Sequence, residues 1–252
     1  MMIESPRRSQ VFDLPIHLYD DYGAWLRSRW SQNLGAHVVT LNSEMAMLAA
    51  QRPELAAVIH QADLVIPDGA GVIFYLRLRQ ERQQRCPGIE LASALIEAAG
   101  QQSLQEPILF YGGRPGIAEQ AAAYWQAQFP QLHLLTFHGY LQPEEMDPLY
   151  ETLQAQQPRL ILVGLGVPRQ ELWIAAHRHR CPGATWIGVG GSLDIWAGVK
   201  TRAPAWWCDH NLEWLYRLYQ EPWRWRRMLV LPQFALRAVM APYRRDSRQP
   251  PA

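Results

Sequence analysis

The sequence predicts an α/β protein: a Rossmann-like, mostly parallel sheet flanked by helices, with a C-terminal helical appendage rich in arginine and tryptophan. Three observations predict it. Short β-rich apolar runs alternate with longer stretches of three- and four-residue apolar spacing, the pattern of buried parallel strands beneath crossover helices. Glycine and polar residues follow these runs, where α/β sheets bind their ligands. Tryptophan and arginine then crowd towards the C-terminus.

Taken in order, residues 1–36 read as an N-terminal extension. Residues 1–10 carry Glu4, Arg7 and Arg8 with no apolar segment behind them, unlike a signal peptide. The α/β core is expected over 37–200, with strands at 37–41, 63–66, 108–111, 160–163 and 185–189, and a less strongly patterned one at 132–137. Residues 117–128, 144–156 and 169–180 have helical apolar spacing. Residues 201–245 form the appendage, and 246–252 a tail expected to be disordered.

At 252 residues and 48% hydrophobic, the chain can bury a core without disulfide staples. Its 24 basic and 23 acidic side chains give a formal charge of +1, so no global field draws it to nucleic acid, and no such partner is expected. Cys86, Cys181 and Cys208 are odd in number and include no C-x-x-C pair, the usage of a reducing compartment. The cytoplasm is therefore the expected location. The most apolar stretch, 228–243, is interrupted by Pro232, Arg237 and Pro242 and falls short of the roughly 18 to 20 residues of a membrane span.

Candidate site residues lie just after the strands. They are Thr40-Leu41-Asn42-Ser43-Glu44, Pro67-Asp68-Gly69, Gly112-Gly113-Arg114-Pro115-Gly116, Gly166-Val167-Pro168-Arg169-Gln170-Glu171 and Gly190-Gly191-Ser192-Leu193-Asp194. The Gly112 loop fits a phosphate cradle at a helix N-terminus or a tight βα turn, since its spacing is not G-x-G-x-x-G. Asp68 is either a carboxylate fixed at the rim or a turn aspartate bonding its own backbone. Convergence of Thr40, Asn42, Gln170 and Asp194 on one crevice favours the first. Pro168 suits a helix start, and Glu171 in the first turn complements the helix dipole. Gln170 has no such structural reason and reads as a ligand contact.

No metal site is expected. His177 and His179 sit two apart on one helix and face different ways, and neither H-E-x-x-H nor D-x-D occurs. A serine hydrolase is unsupported without G-x-S-x-G. In the appendage, 214–252 holds eight arginines against Glu221 and Asp246, a local +6. Arg217, Arg224, Arg226 and Arg227 interleave with Trp214, Tyr216, Trp223 and Trp225. Such charge suits a solvated face, a nucleic-acid patch or an anionic lipid surface. Exposed tryptophan favours an interface, and the charge balance of the remaining chain favours an anionic membrane.

In their order, these loops together with Arg85-Cys86-Pro87-Gly88-Ile89-Glu90-Leu91, Arg202-Ala203-Pro204, Leu212-Glu213-Trp214 and Arg217 resemble the WecG/TagA/CpsF glycosyltransferase family over about 37–234. The resemblance implies an inverting transfer of N-acetylmannosamine, its uronic acid or glucose from a UDP-sugar to a saccharide on a polyprenyl diphosphate, in cell-surface polysaccharide synthesis. No cofactor or metal would be needed. Asp68 would be the general base, with Thr40, Asn42 and Gln170 around the sugar. Gly112, Gly113, Gly190, Gly191, Asp194 and Glu171 would hold the donor, and Arg85, Arg217, Arg224 and Arg227 the diphosphate. The protein would lie peripherally on the inner membrane face through its appendage, and a homo-oligomer is compatible with this. Pro87 and Glu90 stand where the family pattern has a small residue or threonine and an aspartate.

Elementary chemistry agrees with these roles: inverting transfer needs a carboxylate beside the attacking hydroxyl and positive charge where the nucleotide departs. Two alternatives remain at this stage. An NAD(P)-dependent oxidoreductase would suit the sheet but lacks the dinucleotide fingerprint. A non-catalytic, membrane-associated nucleotide-binding scaffold would use the same surfaces.

Overall fold

The computed structural model describes residues 5–210 and 212–241, excepting the side chains of Asp209, Arg217 and Arg224. The expected tail, 246–252, lies outside these residues. The chain opens with strands β1 (Arg7–Val11) and β2 (Leu14–Leu18) and helix α1 (Tyr22–Ser31). There follow β3 (Ala36–Leu41), α2 (Ser43–Ala49), α3 (Pro53–Gln61), β4 (Leu64–Pro67), α4 (Ala70–Leu78), α5 (Gly88–Gln101), β5 (Ile108–Gly112), α6 (Ile117–Gln128), β6 (Leu134–Phe137), α7 (Asp147–Gln156), β7 (Leu160–Gly164), α8 (Arg169–His177) and β8 (Thr185–Gly188). Beyond the last strand come α9 (Ser192–Trp196), α10 (Ala205–Asp209), α11 (Glu213–Gln220), α12 (Trp225–Met228) and α13 (Val230–Met240).

Strands β3 to β8 form one parallel sheet in the order β4-β3-β8-β7-β5-β6. This is the α/β architecture expected from the apolar runs, and all six expected strands occur. Their side chains alternate between two helical layers. Val38, Ile66, Phe110, Leu162 and Ile187 share a core with α1, α5 and α6. On the opposite face, Val39 and Val65 pack with α2, α3 and α4, and Leu109, Ile161 and Trp186 with α7 and α8. Edge strand β6 is only half-buried, which explains its weaker apolar pattern.

Two expected helices are shorter than their periodicity suggested. The stretch 144–156 divides into a 3₁₀ turn, Pro143–Glu145, and α7, because Pro148 restarts the helix near its N-terminus. The stretch 169–180 leaves α geometry at His177 and ends in a 3₁₀ turn, Arg178–Arg180.

The β1–β2 hairpin and α13 share one core with β4. Val11, Leu14, Ile16 and Leu18 of the hairpin enter the same core as Val65 and Phe234. His17 Nδ1 accepts the Val65 N–H at 2.9 Å, covering a backbone donor at the sheet edge. Burial lowers the His17 pKa, keeping its ring neutral and able to accept. Phe12, at the hairpin turn, lies edge-on to Tyr75 and Phe234 with ring centroids 4.9 and 5.1 Å away. Helix α13 is thereby seated on the core, and Arg79 Nη2 donates to the Ala241 carbonyl at 2.8 Å.

Candidate active site

The strands converge on one rim, where a cavity of about 600 Å³ opens. Thr40, Asn42, Asp68, Gly113, Gln170, Gly190, Gly191, Asp194 and Arg227 all reach its wall. Residues from five strand ends thus share one cleft, as Thr40, Asp68, Gly113, Gly166 and Gly188 illustrate. Gly112 does not reach the wall. It pairs with Gly164 in the sheet, and a Cβ there would lie 2.6 Å from the Gly164 backbone; its smallness serves strand packing. The Gly113 N–H is bonded to the Gly164 carbonyl at 3.3 Å, which favours the tight-turn reading of this loop, while Arg114 faces the cleft.

Asp68 follows the last residue of β4, and its N–H donates to the Leu41 carbonyl at 3.0 Å. Its carboxylate Oδ1 accepts the Gly88 N–H at 3.2 Å. Gly88 begins α5, whose N-cap, Pro87, supplies no side-chain acceptor, so Asp68 meets a helix-end donor from a neighbouring loop. Thr40 stands alongside, donating its hydroxyl to the Gly188 carbonyl at 3.2 Å. Asn42 caps α2 by accepting the Met45 N–H at 3.0 Å, which leaves its amide nitrogen as the group offered to the cleft.

Gln170 has the structural reason that its sequence position concealed. It is 2% exposed, and its Oε1 accepts the N–H groups of both Gly166 and Gly190 at 3.1 Å. Its amide nitrogen donates to Glu171 Oε1 at 2.8 Å. Glu171 lies behind the wall at 1% exposure, and its Oε2 has no hydrogen-bond partner among the described residues. Burial pushes its carboxyl pKa up to about 7. Glu171 is therefore a buried partner of Gln170 and does not itself reach the cavity wall.

A family model for the WecG/TagA/CpsF glycosyl transferases matches residues 9–248. The chain belongs to the WecG/TagA/CpsF glycosyltransferase family. This family member is 35% identical over 205 residues to the N-acetylglucosaminyldiphosphoundecaprenol N-acetyl-beta-D-mannosaminyltransferase of Bacillus spizizenii, covering 81% of this chain and 78% of that protein. With the protein of the same name from Bacillus subtilis it shares 33% identity over 207 residues, covering 81% and 79%.

The C-terminal segment of this glycosyltransferase borders the cleft through ion pairs. Arg227 contributes Nε and Nη2, at 2.8 and 2.7 Å from Glu44 Oε1. Lys200 lies 3.3 Å from Asp194 and 3.5 Å from Glu221. Arg85, expected at the diphosphate, is not on the cavity wall. It pairs with Glu213 at 2.9 Å, their side chains 15% and 9% exposed, and fastens α11 to the core. Arg217 lies on α11 and Arg224 in the turn Pro222–Arg224; their side chains fall outside the described residues.

Lys200, Glu221 and Tyr140 line the cleft without having been singled out as site residues from sequence. For Lys200 a signal existed: it is the single lysine among 24 basic residues. Among the described residues, no three His, Cys, Asp or Glu side chains are placed to hold a metal ion, and no helix is long and apolar enough to cross a membrane.

Proposed function

We propose that this glycosyltransferase moves an N-acetylmannosamine-type sugar from a UDP donor to N-acetylglucosamine carried on a polyprenyl diphosphate, as a step of cell-surface polysaccharide synthesis. The activity for which the two Bacillus relatives are named supports the choice of sugar and acceptor. One observation carries the chemistry. The carboxylate of Asp68 is anchored by the Gly88 N–H on the wall of a cleft that also holds Lys200 and Arg227.

In this reaction Asp68 takes the proton of the acceptor hydroxyl as its oxygen bonds to the anomeric carbon. The bond from that carbon to UDP breaks on the opposite face, inverting the centre, and UDP leaves with the electron pair. A positioned base accelerates such a step by roughly 10²- to 10⁴-fold. Arg227 and Lys200 exchange Glu44, Asp194 and Glu221 for phosphate oxygens and neutralise the departing charge, with no divalent cation required. Thr40 and Asn42 contact the sugar, and the Gly190-Gly191 turn with Asp194 receives the nucleoside.

The lipid-borne acceptor calls for a membrane-facing surface. Trp206, Trp214, Tyr219, Trp223 and Trp225 are exposed on the C-terminal helices beside Arg226 and Arg227, a composition suited to an anionic bilayer interface on the cytoplasmic side. The same segment brings Arg227 to the cleft, so membrane contact and closure over the diphosphate are coupled.

Incubation with a panel of UDP-sugars and a short-chain polyprenyl-diphosphate N-acetylglucosamine acceptor, followed by mass spectrometry, tests this reading. A product heavier by one N-acetylhexosamine, formed from UDP-N-acetylmannosamine, is expected. Binding of UDP and liposomes with no transfer from any donor would instead support the non-catalytic scaffold.

A further inference from the structure

Two buried polar side chains tie together the glycine loops of the cleft. Gln170 Oε1 receives two N–H groups from different strand ends: Gly166, after β7, and Gly190, after β8. A flipped amide would turn its NH₂ towards both of those donors and its oxygen towards a carboxyl group. The orientation is thus dictated from two sides. On the second side stands Glu171 Oε1, 2.8 Å from the amide nitrogen.

Packing leaves the pair no freedom. A Cβ on Gly188 would lie 2.4 Å from Gln170 Nε2 and 2.9 Å from Glu171 Oε1, so β8 rests directly on them. The carbonyl of that glycine receives the Thr40 hydroxyl. Gly166 and Gly190 have φ of +75° and +52°, and a Cβ on either would meet nothing within 4 Å. Both turns therefore present bare backbone to open space beside the cleft.

Glu171 also has a thermodynamic oddity. Burying a carboxyl group with Oε2 unpartnered is unfavourable, and an apolar side chain would fill the site at lower cost. Burial pushes its pKa up to about 7, consistent with a group retained for what it does to its neighbour.

We propose that Glu171 is a positioning residue: it locks the Gln170 amide in one orientation and so fixes the spacing of the Gly166 and Gly190 loops against which the donor nucleotide lies. The last clause rests on the placement of the donor given under Proposed function; the locking itself does not.

Three variants test it: Glu171→Leu, Gln170→Glu, and the double variant Gln170→Glu/Glu171→Gln. The double variant reverses donor and acceptor between the two side chains while still offering an oxygen to both glycine amides. Hydrogen exchange at the Gly166 and Gly190 amides is read by NMR, UDP affinity by calorimetry, and kcat and KM by product formation. For Glu171→Leu, exchange at both amides is expected to accelerate about tenfold or more, and the UDP dissociation constant to rise about tenfold, the effect of losing one buried hydrogen bond. KM for the donor should rise more than kcat falls. Gln170→Glu should show the same losses, and the double variant should recover most of them.

Unchanged exchange in Glu171→Leu, or a double variant no better than Gln170→Glu alone, would overturn the proposal. If Glu171→Leu does not fold, the comparison of single and double Gln170 variants decides. A wild-type protein that binds no UDP would sink the donor placement instead, while amide exchange would still judge the locking.

Discussion

Gly88 stands between Asp68 and Thr40, giving its N–H to the Asp68 carboxylate at 3.2 Å while leaving no room for a side chain against the threonine. A Cβ at this position would lie 2.8 Å from Thr40 Cγ2. Thr40 is buried in β3 and β-branched, so it yields little, and the start of α5 must move instead. Gly88→Ala is expected to fold, bind UDP with nearly unchanged affinity and lose about 100-fold in kcat, the scale of a 1 Å misplacement. Steady-state kinetics with calorimetry check this; wild-type turnover in the variant would show that the Gly88 contact does not position the base.

The Arg85–Glu213 pair links the loop before α5 to the C-terminal segment. Both side chains are mostly buried, and removing one partner of such a pair destabilises by about 3 kcal/mol. Arg85→Met should loosen α11, speed proteolysis within 201–213 and reduce transfer, because Arg227 lies farther along the same segment. Limited digestion and the activity assay report the two effects. The charge swap Arg85→Glu/Glu213→Arg should restore part of both, and failure to protect the segment would assign its attachment to other contacts.

Much of the fold was legible because the inner strands are buried on both faces, so Ile108, Leu160 and their neighbours form uninterrupted apolar runs that no surface helix needs. The rim was legible for a related reason: Asp68, Asn42 and Gly190 immediately follow those runs. Contacts that depend on strand order were not. Gln170 joins β7 to β8, and Arg85 meets a residue 128 positions away; neither relation leaves a mark in local spacing. Hairpin β1–β2 was missed because Arg7-Arg8-Ser9-Gln10 is polar throughout, its burial being confined to Val11 and to β2.

Two buried groups give opposing pH dependences. Burial raises the Glu171 pKa from an ordinary 4.5 to about 7, so its favourable contribution is present below about 4.5 and lost as pH rises through 7. Burial lowers the His37 pKa from 6.5 to about 4, so its contribution is full above 6.5 and lost as pH falls through 4. Each shift corresponds to at most about 3 kcal/mol. Relative to wild type, Glu171→Leu should gain stability as pH rises from about 5 to 8, and His37→Leu as pH falls from about 7 to 4. Urea unfolding across this range measures both differences. A pH-independent difference for either variant would mean that its carboxyl or imidazole keeps the same pKa on unfolding.

Trp223 is 71% exposed and Trp225 52%, beside Arg226 and Arg227. Replacing both tryptophans by serine should leave thermal stability nearly unchanged and reduce co-sedimentation with anionic liposomes about tenfold or more, since each buries up to a few kcal/mol of apolar surface in a bilayer interface. Undiminished sedimentation would place the membrane contact elsewhere on the chain.

The role of Asp68 is tested most directly by Asp68→Asn, which keeps an oxygen for the Gly88 N–H while removing the basic carboxylate. Product formation from UDP-N-acetylmannosamine and the lipid-linked acceptor, measured beside UDP calorimetry, should fall by at least about 10²-fold with UDP affinity preserved. Near-normal turnover in this variant would contradict the assignment of Asp68 as the base.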